Sequence, residues 1–269
     1  MTSRRQFLRK VASGAAVAGA SAFLPRWTYA GEKPSLGPAG LPSGTLEESV
    51  LESLPGKRPL IKRTYRPMNY ETPVEYFDDP ITPNDAFFVR YHLPVTPKID
   101  PATWKLELGG DGLEKPLTFD LATLKKDFEQ VETVAVCLCS GNRRGLSEPH
   151  VAGVQWGHGA MGNARWKGVR LKDVLAKAGV KKEAVELVAN GADTAVLATT
   201  PDFQKSIPVW KGLDENTLLA WEMNGEPLPL AHGGPLRLIV PGYQGVNNVK
   251  YVKRVALTRE QSRAGIMAN

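Results

Sequence analysis

The sequence predicts an α+β fold in which mixed β-sheets form a single domain. Many short segments of alternating or β-branched apolar residues are separated by Gly, Pro and Asn turns, and few segments have helical spacing. There is no internal repeat and no sustained alternation of strand and helix, which counts against a dinucleotide-binding fold. With 269 residues, the chain can bury one large core or two small ones.

The first thirty residues have the composition of an export signal. The segment Ser3–Lys10 matches the twin-arginine pattern and precedes a run of small apolar residues, Val11–Leu24, with an acceptable cleavage site at Ala30. A short membrane anchor is the alternative, but the run is rich in Ala and Gly and too short and weakly apolar to span a bilayer comfortably. We therefore expect residues 1–30 to be a twin-arginine signal peptide. The folded protein would be exported to the periplasm and would have no stable membrane span.

The net charge of +6 does not indicate a nucleic-acid partner. Five positive charges, on Arg4, Arg5, Arg9, Lys10 and Arg26, lie within the first thirty residues, which contain no acidic residue. The rest of the chain is close to neutral and has no long basic run. Nucleic-acid binding is therefore poorly supported.

An extended arm and a short aromatic strand are predicted before the centre of the chain. Residues 31–66 are rich in Pro, Gly, Ser and Glu and predict an arm lying on the surface. Residues 67–269 are expected to form the domain itself. In the strand predicted over 86–92, Arg90 and His92 are two residues apart and therefore share one face.

The remaining elements follow from periodicity and turn residues. Helical spacing in 118–128 and in 170–178 predicts two short helices, the second ending at Gly179. Apolar segments bounded by turn residues predict strands at 104–109, 184–189, 216–223, 235–241 and 249–257. The dipeptide Asn224-Gly225 is typical of a tight hairpin turn after one of these strands.

A further strand, Val134–Cys139, is predicted to carry both cysteines on one face, because Ala135, Cys137 and Cys139 alternate with larger apolar residues. Gly141-Asn142 is expected to allow positive φ and to bring backbone N–H groups near the sulfur. Arg143 and Arg144 follow and favour the thiolate form that a metal ligand requires. A buried free cysteine is the alternative, and a disulfide between positions i and i+2 of a strand would be strained.

The segment Trp156–Trp166 combines several glycines with two tryptophans. This composition indicates backbone packed closely against something flat or bulky. A loop in the hydrophobic core is the alternative, and the residues alone do not decide between the two.

In combination, these motifs resemble the molybdenum-cofactor domain of the sulfite oxidase family, which also contains plant nitrate reductase. The resemblance covers roughly residues 64–258 and rests on Phe88–His92, Cys139–Arg144, Trp156–Trp166 and Glu222–Gly242. It implies an α+β, mixed-sheet, sulfite-oxidase-type molybdopterin-binding fold and a molybdenum-molybdopterin cofactor.

The resemblance also assigns roles to single residues. It implies that Cys139 is the molybdenum ligand, a soft thiolate beside the pterin sulfurs. Arg90, Arg144 and Trp156 resemble residues of the substrate pocket. The residues that resemble the cofactor-binding set are Arg90, His92, Cys139, Asp193, His232, Arg237, Asn248, Val249 and Lys250. Taken singly, the charged members could be ordinary ion-pair or turn residues, so the assignment depends on their joint order and spacing.

The activity that the resemblance implies is oxidation of sulfite to sulfate, a small oxyanion suited to an arginine-lined pocket. No haem-attachment motif is present, so a separate c-type cytochrome is the expected electron acceptor. No C-terminal dimerisation domain is expected before Asn269, and Tyr243 is a candidate substitute for the tyrosine that family members place in the site. The alternatives are a reductase of a sulfoxide or another oxyanion, and a cofactor-free oxyanion-binding protein.

Overall fold

The computed structural model describes residues 51–263, which contain fourteen strands and three short α-helices. The strands are β1 (Leu51–Glu52), β2 (Leu60–Tyr65), β3 (Met68–Glu71), β4 (Val89–Arg90), β5 (Lys105–Gly109), β6 (Leu117–Asp120), β7 (Gln130–Leu138), β8 (Met161–Arg170), β9 (Glu186–Asn190), β10 (Gln204–Pro208), β11 (Leu218–Met223), β12 (Glu226–Pro227), β13 (Arg237–Ile239) and β14 (Arg254–Thr258). The helices are α1 (Leu121–Asp127), α2 (Leu171–Ala178) and α3 (Val209–Gly212).

Three sheets organise these strands. The first has the order β1-β2-β3-β4, the second β10-β9-β14-β5-β6, and the third β12-β11-β8-β7 with β13 also paired to β11. Among the paired strands of residues 51–263, only β5 and β14 run parallel, and the other pairs are antiparallel. The predicted mixed-sheet α+β fold is therefore confirmed.

The first sheet includes the described part of the predicted surface arm. Residues 51–66 contribute β1 and β2, and β2 pairs with β3 in antiparallel register. Leu60 is fully buried beside Tyr70 and Val89. This half of the arm is thus part of the folded sheet, because β2 pairs with β3 and Leu60 packs inward despite the polar composition around it.

The cysteine strand has the predicted alternation. In β7, Ala135 and Cys137 are buried while Val134 and Val136 are about half exposed. The strand pairs with β8 over nine residues, and Cys137 lies opposite Gly162. A Cβ on Gly162 would stand 2.4 Å from the Phe87 ring, so the glycine allows that ring to pack onto the strand.

Both predicted helices form. Helix α1 begins after Asp120, whose carboxylate accepts a hydrogen bond from the Thr123 amide at 2.7 Å, and it buries Leu124. Residues 118–120 before it are part of strand β6 and not of the helix, because they pair with β5. Helix α2 ends at Gly179, which has φ of 73°, as predicted.

Several strand boundaries differ from the prediction. The hairpin at Asn224 and Gly225 is confirmed, with positive φ at both residues. The last predicted strand, 249–257, is shorter than expected, because β14 begins at Arg254 and residues 249–253 are not strand. Strands β8 and β10 were not predicted. In β8, Gly162 and Ala164 lower the apparent strand propensity, although a ten-residue strand forms because both of its neighbours pair with it.

The predicted signal peptide lies outside residues 51–263. Within that range, no helix combines the length and apolar character needed to cross a membrane.

Candidate functional site

A cavity with a volume of about 230 Å³ lies where residues of the first and third sheets meet connecting loops, including the loop between β9 and β10 of the second sheet. Every residue that the resemblance assigns to the substrate pocket, the metal or the cofactor lines it, with one exception. These residues are Arg90, His92, Cys139, Arg144, Trp156, Asp193, His232, Arg237, Asn248 and Lys250. The exception is Val249, which packs in the main hydrophobic core and does not line the cavity. Residues separated by as many as 160 positions in the sequence are thus brought to one place.

The two thiols reach the cavity from the end of strand β7. Cys139 follows the last residue of the strand and is partly exposed to the cavity, whereas Cys137 is deeper and fully buried. Both are free thiols. The Cys137 sulfur accepts a hydrogen bond from Arg237 Nη2 at 3.4 Å, and Cys139 is the more exposed of the two thiols that line the cavity.

The turn after Cys139 differs from the prediction in one respect. The residue with positive φ is Arg143, at 69°, and not Gly141 or Asn142. Its amide donates to the carbonyl of Gly157 at 2.7 Å, and its carbonyl accepts from the Leu146 amide. These contacts on both sides of the residue hold it in the left-handed region. The Arg143 side chain does not line the cavity.

The guanidinium group beside the thiol is therefore that of Arg90, with Arg144 in the same cavity. Arg90 interacts electrostatically with Cys139, and burial is the main cause that lowers the pKa of Arg90. Its Nη1 donates to Asn69 Oδ1 at 3.2 Å and to the carbonyl of Tyr91. A buried side chain of β3 thus orients this arginine toward the sulfur.

Arg90 and His92 share one face, as predicted. Arg90 Nη2 lies 3.3 Å from His92 Nδ1, and the His92 ring centroid is 4.4 Å from that of Phe203. Burial and the charge of Arg90 lower the pKa of His92 to about 4. His92 is therefore a neutral hydrogen-bonding group near neutral pH.

Trp156 forms a rigid wall of the cavity. It is fully buried, and its ring meets Phe88 edge to face at a centroid distance of 6.4 Å. The two alternatives for the Gly- and Trp-rich segment are both realised, because Trp156 belongs to the core and also lines the cavity. Gly159, three residues later, lies against backbone, because a Cβ there would stand 1.8 Å from the Thr72 carbonyl oxygen.

The cavity also carries positive charge that is partly removed from water. Lys250 donates to the carbonyl of Ala231 at 2.6 Å and lies over the Tyr91 ring, 4.1 Å from its centroid. Burial, followed by the charge of Arg237, lowers the pKa of Lys250 well below its usual value. Burial likewise lowers the pKa of His232 well below its usual value, so this imidazole is neutral.

The charge balance of the cavity fits an anionic cofactor. Arg90, Arg144, Arg237 and Lys250 line it, and Asp193 is the one carboxylate among its described lining residues. Burial raises the pKa of Asp193, which weakens this counter-charge further. Buried cations are costly unless they are paired. A molybdopterin phosphate would supply the missing negative charge, and the Cys139 thiol is suited to the metal.

Several residues at the site had no signal in the sequence. Tyr251 and Phe203 line the cavity, and Lys57 contacts His232 from behind it. Their positions follow from long-range packing and not from a local motif. Tyr243, the predicted substitute tyrosine, packs against the main core and does not line the cavity.

Comparison with known proteins agrees with this geometry. Residues 92–266 match the family "Oxidoreductase molybdopterin binding domain". Mitochondrial sulfite oxidase of Drosophila melanogaster is 40% identical over 215 residues, which are 77% of this chain and 36% of that protein. The human mitochondrial sulfite oxidase is 39% identical over 216 residues, covering 77% of this chain and 39% of the relative.

Two further matches extend the comparison. The nitrate reductase [NAD(P)H] of Hordeum vulgare is 35% identical over 192 residues, which are 68% of this chain and 21% of that protein. The crystal structure of the sulfane dehydrogenase SoxCD from Paracoccus pantotrophus superposes with a TM-score of 0.66 and 29% identity, covering 90% of this chain and 59% of that chain. The chain spans less than two fifths of the length of these two sulfite oxidases.

The fold and the cation-lined cavity around a free thiol define a molybdenum-dependent oxidoreductase domain. The chain belongs to the molybdopterin-binding oxidoreductase domain family that includes the sulfite oxidases. Its cofactor is accordingly molybdenum-molybdopterin.

Proposed function

We propose that this protein oxidises sulfite to sulfate. The observation that carries the proposal is the convergence of the Cys139 thiol with Arg90 and Arg144 in one cavity. The molybdenum cofactor, when bound, supplies oxygen-atom transfer and accepts two electrons. Cys139 would hold the metal, and the wall formed by Arg237, Lys250 and His232 would hold the pterin.

The remaining residues would bind and orient the substrate. The two guanidinium groups of Arg90 and Arg144 offer N–H donors in a region partly removed from water, where charge-assisted hydrogen bonds are strong. Trp156 limits the space and excludes water on one side. An anionic substrate is favoured over a neutral sulfoxide, because a neutral ligand would not compensate the desolvation of two guanidinium groups.

The proposal includes a separate electron acceptor and a cellular location. Residues 1–30 resemble a twin-arginine signal, and the sequence has no haem-attachment motif. We expect a periplasmic protein that passes electrons to a c-type cytochrome. Fractionation of cells that express the wild type or an Arg4→Lys, Arg5→Lys double variant tests the location, with periplasmic wild type and retained variant as the expected result.

The activity is tested on protein purified from a host competent for twin-arginine export and for molybdopterin synthesis. Mass spectrometry of the metal is expected to give close to one molybdenum per chain, and sulfite is expected to drive reduction of cytochrome c. Cys139→Ser should lose the activity, because the metal loses its protein ligand while the pterin sulfurs still bind it. Cys137→Ser is the matched variant, and it should retain both the metal and the activity because the other thiol is the ligand.

Other outcomes separate the alternatives. The names of the Hordeum vulgare relative and of the structural neighbour suggest nitrate and a sulfane compound as other substrates to test. Protein that contains molybdenum and turns over one of these compounds but not sulfite would show that sulfite is not the substrate. The absence of molybdenum from purified protein would contradict the catalytic proposal and favour an oxyanion-binding protein.

A further inference from the structure

Lys57 lies behind the wall of the cavity, in the segment between strands β1 and β2. Its Nζ contacts two acceptors, the carbonyl of Asn84 and the carbonyl of Phe87 at 3.1 Å, and a ring nitrogen, His232 Nε2 at 2.5 Å, whose role as donor or acceptor depends on the tautomer. An ammonium group has three N–H donors and no acceptor. The three contacts therefore match the three donors of a protonated Lys57.

The segment that carries Lys57 is fixed in place by its neighbours. The Arg58 amide donates to the carbonyl of Asp85 at 3.0 Å, and the two side chains form an ion pair at 2.9 Å. The Asn84 side chain in turn donates to the carbonyl of Met223 at 2.9 Å. Lys57 is thus held against His232 by contacts that do not involve the cavity.

His232 is the group that this lysine contacts, and it is 1% exposed and lines the cavity. Burial, followed by the charges of Lys57, Lys250 and Arg237, lowers the pKa of His232 well below its usual value. A neutral imidazole carries its proton on one nitrogen only. If Nε2 accepts from the Lys57 ammonium, that proton must lie on Nδ1.

We propose that Lys57 is a positioning residue of the cofactor pocket, which holds His232 in the Nδ1–H tautomer and orients its ring toward the bound group. The part that concerns the cofactor depends on the proposed function, whereas the tautomer does not. The tautomer determines which ring nitrogen donates a hydrogen bond in the cavity and which accepts one. Lys57 therefore sets the hydrogen-bonding pattern of the pocket without lining it.

The tautomer is measured directly by two-bond ¹H–¹⁵N correlation spectra of the full chain with ¹⁵N-labelled histidine. The sequence contains four histidines, so His232 is assigned from the signals lost in a His232→Gln variant. The spectra are recorded near pH 6, below the pKa of about 7 to which burial lowers Lys57. The wild type is expected to show Nδ1 protonated and Nε2 unprotonated.

Two substitutions that each remove one positive charge distinguish the contact of Lys57 with His232 from the general effect of its charge. Lys57→Met is expected to shift the Nε2 signal of His232 toward that of a protonated nitrogen and to lower the retained molybdopterin several-fold. Lys98→Met removes a positive charge from an exposed lysine that does not contact the Lys57 segment, and it should preserve the wild-type tautomer.

Two results would overturn the proposal. One is an Nε2-protonated His232 in the wild type, a measurement that does not depend on whether a variant folds. The other is an unchanged His232 tautomer in a folded Lys57→Met variant, even if cofactor content falls. By contrast, purified protein without molybdenum but with the expected tautomer would count against the proposed function alone.

Discussion

Arg144 Nη1 lies 2.6 Å from the point where a Cβ on Gly153 would stand, and 2.8 Å from the corresponding point on Gly141. The guanidinium group that is proposed to bind substrate therefore occupies space left by two missing side chains. It is oriented further by a hydrogen bond to the carbonyl of Val154 at 3.3 Å. The end of an arginine side chain is flexible. A methyl group at either glycine would therefore displace the guanidinium group and leave the backbone in place.

Gly141→Ala is accordingly expected to weaken substrate binding with little effect on stability. Gly141 does not have positive φ, so alanine adds no backbone strain. Loss of about 1–2 kcal/mol of charge-assisted hydrogen bonding would raise KM for sulfite about tenfold, with molybdenum content unchanged. Steady-state kinetics and metal analysis measure both.

Gly109→Ala is the matched control, because the nearest atom to its added methyl group would be Arg254 Nη2 at 3.9 Å, an ordinary contact. It should keep the wild-type KM. An unchanged KM in Gly141→Ala would mean that the guanidinium of Arg144 does not set substrate affinity.

The loop that carries Trp156 depends on a single buried carboxylate. Glu71, which is 2% exposed, accepts hydrogen bonds from the amides of Gly157 and Gly159 at 2.8 and 2.7 Å and from Arg63 Nε at 2.7 Å. In Glu71→Gln, one acceptor oxygen becomes an NH₂ group that faces a donor. The free energy of unfolding is expected to fall by about 1–3 kcal/mol.

Urea unfolding of Glu71→Gln beside Glu132→Gln checks this expectation. Glu132 makes an exposed ion pair with Arg165 at 3.5 Å, so the same substitution there should change stability by less than about 1 kcal/mol. Equal effects of the two substitutions would contradict the assignment of Glu71 as the support of the loop.

Local sequence was sufficient to predict much of the fold. The alternation that places Cys137 on the inner face of β7, the Asn224-Gly225 hairpin and the end of α2 at Gly179 each depend on a few adjacent residues. The joint order of Arg90, Cys139 and the later motifs was sufficient to identify residues that the structure brings into one cavity. Their roles in binding stay predictions until they are tested by mutation.

The parts that local sequence did not predict depend on distant contacts. Strand β8 forms around Gly162 and Ala164 because β7 and β11 pair on both of its sides. Arg143 takes positive φ because a carbonyl 14 residues later, that of Gly157, accepts its amide. Lys57 reaches His232 across 175 positions, and neither residue carries a local signal of that contact.

The lowered pKa of Lys57 predicts a pH dependence of stability. Burial brings this pKa to about 7 in the folded protein, against about 10.5 for an unperturbed lysine. Between these values the unfolded chain binds one more proton, so the free energy of unfolding rises with pH, by up to about 1.4 kcal/mol per pH unit. This contribution of Lys57 to the free energy of unfolding is lost as the pH falls from about 10 to about 7.

Urea unfolding at about pH 7 and pH 9 measures this slope. The wild type should gain more stability over the interval than Lys57→Met, while other titrating groups contribute to both proteins and cancel in the difference. Parallel slopes would show that Lys57 keeps an ordinary pKa and is better solvated than its contacts indicate.

Replacing Lys250 is expected to separate the stability of the protein from its retention of the cofactor. Its side chain is partly buried, makes one hydrogen bond to the carbonyl of Ala231 and lies near two cations, Arg237 and Arg90, and one carboxylate, Asp193. Without a bound anion, a buried cation near other cations opposes folding, so Lys250→Met should leave the cofactor-free protein equally or more stable.

The same substitution removes a cation proposed to face the pterin phosphate, so the molybdenum retained per chain should fall several-fold. Lys126→Met removes a charge that is exposed to solvent and should retain the wild-type metal content. Thermal unfolding and metal analysis of both variants test the two halves of the argument together. A Lys250→Met protein that is destabilised and keeps its molybdenum would mean that this lysine supports the fold and does not hold the cofactor.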